Sequence, residues 1–287
     1  MKVFATAAAA GLAASAYFRV DRLAEAKIEE TGAFSQSAYR QYKLISVKDE
    51  TPDTKLFTFR LPEEEMELNF TTPSCITLRF VDDDRNEVVR PYTPLNLESD
   101  KGSFDILVKA YPNSKMGSHL HNMKVGNSID VQGPWRTMDI KPGQYEHVGM
   151  LAGGTGVTPM YQVAQNFLAK PSNTTKFSLV CCNRSKHDML LVDRIGRLVK
   201  ENPGRFDVSH ILVSAPWYWR GYKGYLTKEI IERTMPNPNN ASNAMLLVSG
   251  PPGFMKAVCG EKKGRSQGPL EGYLKEMGYT ESMVYKF

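Results

Sequence analysis

The sequence predicts two domains, an antiparallel β-barrel followed by an α/β domain built on a parallel sheet. Three observations predict it. Short β-type segments recur at even spacing over residues 42–132, which suits a small closed barrel. Beyond Pro142-Gly143, apolar strand-like runs alternate with helical patterns, which implies a parallel sheet. A chain of 287 residues with 41% hydrophobic content is long enough for two ordinary cores. The expected division is an N-terminal apolar segment and tether over 1–37, the barrel over 38–143 and the α/β domain over 144–287.

In the barrel, residues 42–47, 55–61 and 75–80 alternate or run apolar over strand lengths, with Pro52, Pro62 and Pro73 between them. Residues 104–111 and 128–132 give two more strands. Between them lies Arg90-Pro91-Tyr92-Thr93-Pro94-Leu95-Asn96. The prolines fix their own φ and bias their predecessors towards extended backbone. That holds out a forked phosphate donor in Arg90, a flat ring in Tyr92 and a hydroxyl in Thr93. The same stretch also fits a plain edge strand ending in a turn. Lys115-Met116-Gly117-Ser118 opens a short helix, and helix N-terminal amides beside a lysine suit a diphosphate. A polar loop entering an ordinary helix fits equally.

The α/β domain begins with a strand over 147–152 that runs into Gly153-Gly154-Thr155-Gly156. Thr158 is expected to cap the next helix, with Pro159 at its first position. Met160, Val163, Ala164, Phe167 and Leu168 then follow at helical spacing. Pro159 stands where a dinucleotide fingerprint requires its third glycine, so this is an anion site of another type. Strands over 177–182, 208–213 and 244–248 follow. The first ends in the basic loop Asn183-Arg184-Ser185-Lys186, the last in Ser249-Gly250-Pro251-Pro252-Gly253. Ligands of such sheets bind beyond the strands' C-terminal ends, where both glycine turns stand.

The net charge of +5 is too small to argue for nucleic acid and suits a negatively charged protein or cofactor. Cys75, Cys181, Cys182 and Cys259 lack the spacing of zinc, iron–sulfur or disulfide frameworks. His119 and His121 alternate as metal ligands sometimes do, but surface or packing roles fit better. Residues 3–18 are uncharged and alanine-rich, and shorter than a full membrane span of about 20 residues. A membrane anchor, a cleaved targeting segment and an alanine-rich helix all fit.

Three motifs, 90–96, 151–160 and 248–255, occur in the order and spacing of one family. Together they resemble the NADH–cytochrome b5 reductases of the ferredoxin–NADP reductase group, and the segment from Gly260 to Gly278, longer than in the microsomal type, resembles the fungal mitochondrial form. The resemblance runs from Tyr42 to the C-terminus. It implies an FAD-binding barrel and an NAD-binding α/β domain. A hydride passes from NADH to FAD, and single electrons then go to cytochrome b5 or a similar acidic haem protein. It implies flavin contacts from Arg90, Pro91, Tyr92 and Thr93, and from Leu107, Val108, Lys109 and Tyr111 on a neighbouring strand. Residues 115–118 match the stretch that binds the FAD diphosphate, with Gly117 where the family has serine. Gly153, Gly154, Thr155, Gly156, Thr158 and Pro159 fall at the domain junction. Asn183, Arg184, Gly250, Pro251 and Met255 fall on the nicotinamide nucleotide. Thr93 and Ser249 lie by the hydride path, and Ser249 replaces a family cysteine.

The family's acidic ribose-binding residue has no counterpart in Leu212-Val213-Ser214-Ala215-Pro216, so NADPH is expected to be discriminated against less strongly than usual. The resemblance implies the mitochondrial outer membrane or intermembrane space, with the endoplasmic reticulum as alternative and the N-terminal segment as membrane tether. Two other functions stay open. One is a reductase subunit serving another haem or iron–sulfur partner. The other is a non-catalytic nucleotide-binding protein on the same fold.

Overall fold

The computed structural model describes residues 32–239, 243–264 and 266–287. The apolar segment 3–18 and most of the expected tether lie outside the described residues. Among the described residues, no helix is long and apolar enough to cross a membrane.

Six antiparallel strands form the first sheet: β1 (Arg40–Thr51), β2 (Thr54–Arg60), β3 (Ser74–Val81), β4 (Glu87–Tyr92), β5 (Ser103–Lys109) and β6 (Ser128–Arg136). Their order is β4-β3-β6-β1-β2-β5. Period-two alternation turns Tyr42, Leu44, Phe57, Phe59, Leu78 and Ile106 into one buried core. Phe104 stacks on Phe59 with centroids 5.4 Å apart. The end strands β4 and β5 do not pair with each other. Helix α1 (Lys115–Asn122) contacts both, so a helix covers the open sheet edges.

The stretch expected to be a polar tether is partly barrel. Ala33 and Phe34 are buried in its core. Phe34 meets Phe104 edge-on at 5.1 Å. The Tyr42 hydroxyl donates to the Ala33 carbonyl, and Arg40 Nη1 donates to the Gly32 carbonyl at 2.6 Å. One aromatic among serines and a glycine gives no periodicity, which is why its docking was not legible.

The second sheet is parallel, in the order β10-β9-β8-β7-β11-β12. Its strands are β7 (His147–Gly153), β8 (Lys176–Ser185), β9 (Phe206–Ser214), β10 (Tyr222–Lys223), β11 (Ala244–Ser249) and β12 (Val284–Lys286). Helices α2 (Val157–Leu168) and α3 (Val192–Glu201) cover one face. Helices α4 (Lys228–Thr234), α5 (Pro252–Val258) and α6 (Gly272–Glu276) cover the other. Alternate residues of β7 show the two sides. Met150 packs towards α2, and Leu151 towards α4 and α5. The α2-side core also takes in Leu95 and Leu107 from the barrel side. Apolar packing is therefore continuous across the domain seam. At the C-terminus, Tyr285 donates to the Thr137 carbonyl, tying β12 to the chain leaving the barrel.

One local expectation is corrected. Thr158 does not cap α2, and Pro159 is not its first residue. The glycine turn is itself a 3-10 turn (Gly154–Gly156), so the chain is already helical when it reaches Val157. The Thr158 hydroxyl donates back to the Thr155 carbonyl at 3.1 Å.

Candidate functional site

A cleft of about 670 Å³ opens between the barrel and the C-terminal ends of the parallel strands. The barrel contributes Asp53, Lys109 and Tyr111. The α/β domain contributes Gly153, Gly154, Asn183, Arg184 and Pro251. Ligand pockets typically measure about 300–1,000 Å³.

Glycines make the floor possible. Chains β7 and β11 are paired to their ends at Ala152 and Ser249, so their two turns leave side by side. A methyl group on Gly156 would collide with the Ser249 carbonyl. One on Gly250 would lie 2.6 Å from the Phe254 ring and 3.2 Å from Gly153 Cα. Gly154 has φ +53°, with open space where a side chain would point. The result is a smooth shelf of peptide backbone backed by Phe254, on which an extended, flat-ended ligand can lie.

One lysine of the barrel wall sits between two carboxylates. Lys109 Nζ lies 2.7 Å from Asp53 and 3.5 Å from Asp188 across the seam. Burial works to raise the Asp53 carboxyl. Hydrogen bonds from Lys109, Thr51 and Thr54 outweigh it and hold the carboxyl below its ordinary value. Asp188 also accepts from the Ser185 amide and hydroxyl at 3.0 and 2.7 Å. Cys182 on the cleft wall is pushed up to about 12 by burial, so it stays a neutral thiol. Tyr111 meets Thr155 through their hydroxyls at 3.2 Å. The arrangement binds and orients.

The proline-clamped motif lies on β4, with Arg90 opposite Leu78 and Tyr92 opposite Ile76. Tyr92 packs on the barrel core, and burial pushes its hydroxyl up to about 12. Arg90 is exposed and donates to its neighbour's carbonyl at 2.7 Å. Its guanidinium is therefore available to an outside acceptor. Near it, α1 starts at a Ser114 cap whose hydroxyl accepts from the Gly117 amide at 3.1 Å. A methyl on Gly117 would lie 2.9 Å from that hydroxyl and 3.3 Å from the Lys109 carbonyl. The glycine in place of the family serine thus lets the helix seat tightly against β5. The first-turn amides of Lys115 and Met116 have no partner within the helix by geometry. An exposed guanidinium, helix amides and an aromatic face form a donor set that fits a flavin dinucleotide.

Four expected residues behave differently from the expectation. Lys115 is paired with Asp82 at 2.6 Å rather than held out for phosphate. The Leu107 and Val108 side chains are buried in the seam core and the barrel core and do not line the cleft. Met255 lies in the core beneath the cleft and does not line it. Ser118 is exposed on α1. Asp53, Tyr225, Phe254 and Tyr273 line the cleft without having been anticipated. Asp53, Tyr225 and Tyr273 come from turns and a helix with no motif of their own, and Phe254 falls within the 248–255 motif. The phenylalanine beside Gly253 was the one available signal.

Comparison with known proteins agrees with this geometry. Residues 41–150 match the oxidoreductase FAD-binding domain family, and residues 150–260 the oxidoreductase NAD-binding domain family. A protein of Phaeosphaeria nodorum called NADH-cytochrome b5 reductase 2 is 40% identical over 237 residues. The match covers 82% of this chain and 70% of the relative. Its Aspergillus terreus namesake is 35% identical over 288 residues, covering 99% of this chain and 90% of the relative. Among solved structures, the cytochrome b5 reductase domain of Ulva prolifera nitrate reductase superposes with a TM-score of 0.78 at 24% identity. That match covers 89% of this chain and all of that domain.

Proposed function

Because the chain belongs to the NADH–cytochrome b5 reductase family, we propose that it oxidises NADH through bound FAD and reduces cytochrome b5. One observation carries this reading. One cleft brings the barrel's Lys109 and Tyr111, at and just beyond the end of β5, against the glycine shelf at Gly153, Gly154 and Pro251, and the flavin-type donor set stands on the same barrel sheet and its helix α1. Bound FAD supplies the chemistry, taking up an electron pair with the hydride and giving electrons out singly. Arg90 and the α1 amides hold the phosphates. Tyr92 offers its face to the ring system. Gly153, Gly156 and Gly250 let the nicotinamide nucleotide approach the backbone, and Phe254 keeps water from below. Lys109 is paired with Asp53 and Asp188, so its positive charge is more than offset beside the reacting rings. Ser249 ends β11 at the shelf, where its hydroxyl can hydrogen-bond a carboxamide. The test is direct. The purified protein should be yellow, its flavin absorbance should bleach on adding NADH, and it should then reduce cytochrome b5. A colourless protein that binds nucleotide without turnover would overturn the reading.

NADH is the proposed donor, with weaker discrimination against NADPH than is usual. Support comes from the far end of the cleft. Ser185 pairs with Ser214 where β8 and β9 end, and exposed Arg184 lines the cleft without an ion pair among the described residues. Asp188, the nearby acid, is held by Ser185 and Lys109. The proposed location is the mitochondrial outer membrane or intermembrane space, with the endoplasmic reticulum as alternative. The uncharged stretch 3–18 supports an N-terminal tether. Fractionation of the full-length chain against one starting at Gly32 tests it, since an unchanged distribution would remove the tether.

A further inference from the structure

Helix α2 leaves the glycine shelf and runs along the domain seam with one polar stripe. Gln162, Gln165 and Asn166 follow Thr158 at four, seven and eight residues, which places them on one face. Gln162 is fully buried. Its Nε2 donates to the Pro94 carbonyl at 3.1 Å, and its Oε1 accepts from the Ser74 amide at 2.9 Å. Gln165 Nε2 donates to the Leu95 carbonyl at 3.2 Å. Asn166 Nδ2 donates to the Asn96 carbonyl at 3.1 Å, and its Oδ1 accepts from the Glu98 amide at 2.8 Å. Three consecutive carbonyls, those of Pro94, Leu95 and Asn96, are thus held by three amide side chains. They directly follow Thr93 and are the last three residues of the 90–96 motif. The other end of the same helix is the Gly154–Gly156 turn.

We infer that Gln162 and Asn166 are positioning residues, which fix where the 90–93 motif stands against the 153–158 turn and so set the approach of the two reacting rings. The inference rests on the reductase reading above. Apolar contacts already hold the seam together through Leu95, Leu107 and Phe167. Such contacts are non-directional and allow sliding. Paired amide bonds do not. A shift of one residue along the helix is a rise of about 1.5 Å, which breaks all of them. A misplacement of about 1 Å is enough to slow an oriented reaction by about a hundredfold.

The test compares holoenzymes of the parent, Gln162→Met and Lys170→Met. The first replacement keeps length and burial and removes both bonds. Lys170 pairs with Glu98 at 2.9 Å at the outer end of the helix and serves as the control. Four quantities are measured: flavin reduction by NADH in stopped flow, the NADH dissociation constant, reoxidation by ferricyanide, and hydrogen exchange of the Ser74 amide in the apo-protein. In Gln162→Met, flavin reduction should slow between about tenfold and a hundredfold. Its NADH affinity and reoxidation should stay as in the parent, and Ser74 exchange should quicken. Lys170→Met should resemble the parent in all four. A Gln162→Met protein of lower melting temperature but parental reduction rate would make the residue mere seam packing and overturn the inference. Should Gln162→Met fail to fold, Gln162→Glu keeps the acceptor for Ser74 and loses the donor to Pro94. A parental reduction rate there overturns the inference equally. A parent that NADH does not reduce would instead sink the reductase reading itself.

Discussion

Replacing Arg90 with alanine separates binding from folding unusually well. Arg90 is exposed, and its one side-chain hydrogen bond goes to the adjacent Val89 carbonyl. Truncation therefore removes no tertiary contact, and apo-protein stability should move by no more than about 0.5 kcal/mol. Its proposed partner is a flavin phosphate, and one charge-assisted bond of that kind contributes about 1.5–3 kcal/mol. The FAD dissociation constant should then rise by about tenfold to over a hundredfold. Thermal melts show both effects together. At FAD equal to about 100 times the parental dissociation constant, ligand stabilises the parent by about 2.7 kcal/mol. A hundredfold weaker variant at the same concentration gains only about 0.4 kcal/mol. The parent and Arg90→Ala should thus melt together without FAD and part company with it. Equal FAD-induced shifts would refute the phosphate assignment. A large apo-protein loss would refute the claim that the side chain stands free.

Phe34→Ala should destabilise the protein by about 3–5 kcal/mol, because Phe34 is fully packed in the barrel; a chain beginning at Gly32 should melt like the parent, and one beginning at Ser37 should resemble the point variant. Arg184→Ala should reduce kcat/KM for NADPH by about tenfold or more and leave that for NADH nearly unchanged, and equal effects on both donors would remove the ribose-end role. Burial pushes the Cys259 thiol up to about 11, so iodoacetamide should label it slowly in the folded protein at pH 9 and rapidly once urea unfolds the chain. The sign follows from linkage. The neutral thiol favours the fold below the unfolded value of about 8.5, and that contribution drains away as pH rises towards 11.

Strands and glycine turns were legible because each leaves a local mark, period-two burial in one case and missing side chains in the other. The 90–96 motif was legible for the same reason, since prolines fix it locally. What joins distant segments was not. Gln162 reaches Ser74 across 88 positions, and a glutamine at helical spacing looks the same whether it faces water or a barrel. Lys109 on its strand gives no sign of the two carboxylates that the fold brings to it, Asp53 from the β1–β2 turn and Asp188 from the turn after β8. Thr158 was misread as a cap because a glycine run suggests a loop, whereas this one winds as a 3-10 turn. Phe34 was missed because burial of a lone aromatic is decided by the pocket, not by its neighbours in sequence.

The seam between the domains argues against a mechanism of wide opening. Apolar packing crosses it through Leu95 and Leu107. Around that core, Arg194 pairs with Asp105 at 2.8 Å, the Glu50 carboxylate accepts from the Leu191 amide at 2.6 Å, and Tyr285 bonds the Thr137 carbonyl. Separating the domains would break these together and bare the buried Gln162 with both of its bonds. Access does not require it. With the seam intact, the cleft already measures about 670 Å³ and opens at its edge past Arg184 and Tyr225. A dinucleotide can enter there with its charged end last, its flat ring sliding along the glycine shelf towards Thr155 and Tyr111. Two interdomain contacts border that path, the Tyr111–Thr155 hydroxyl pair at 3.2 Å and the Lys109–Asp188 ion pair at 3.5 Å. Exchange of nucleotide therefore needs at most these two weak contacts to give way, while the bonds of Gln162, Glu50, Arg194 and Tyr285 hold the seam.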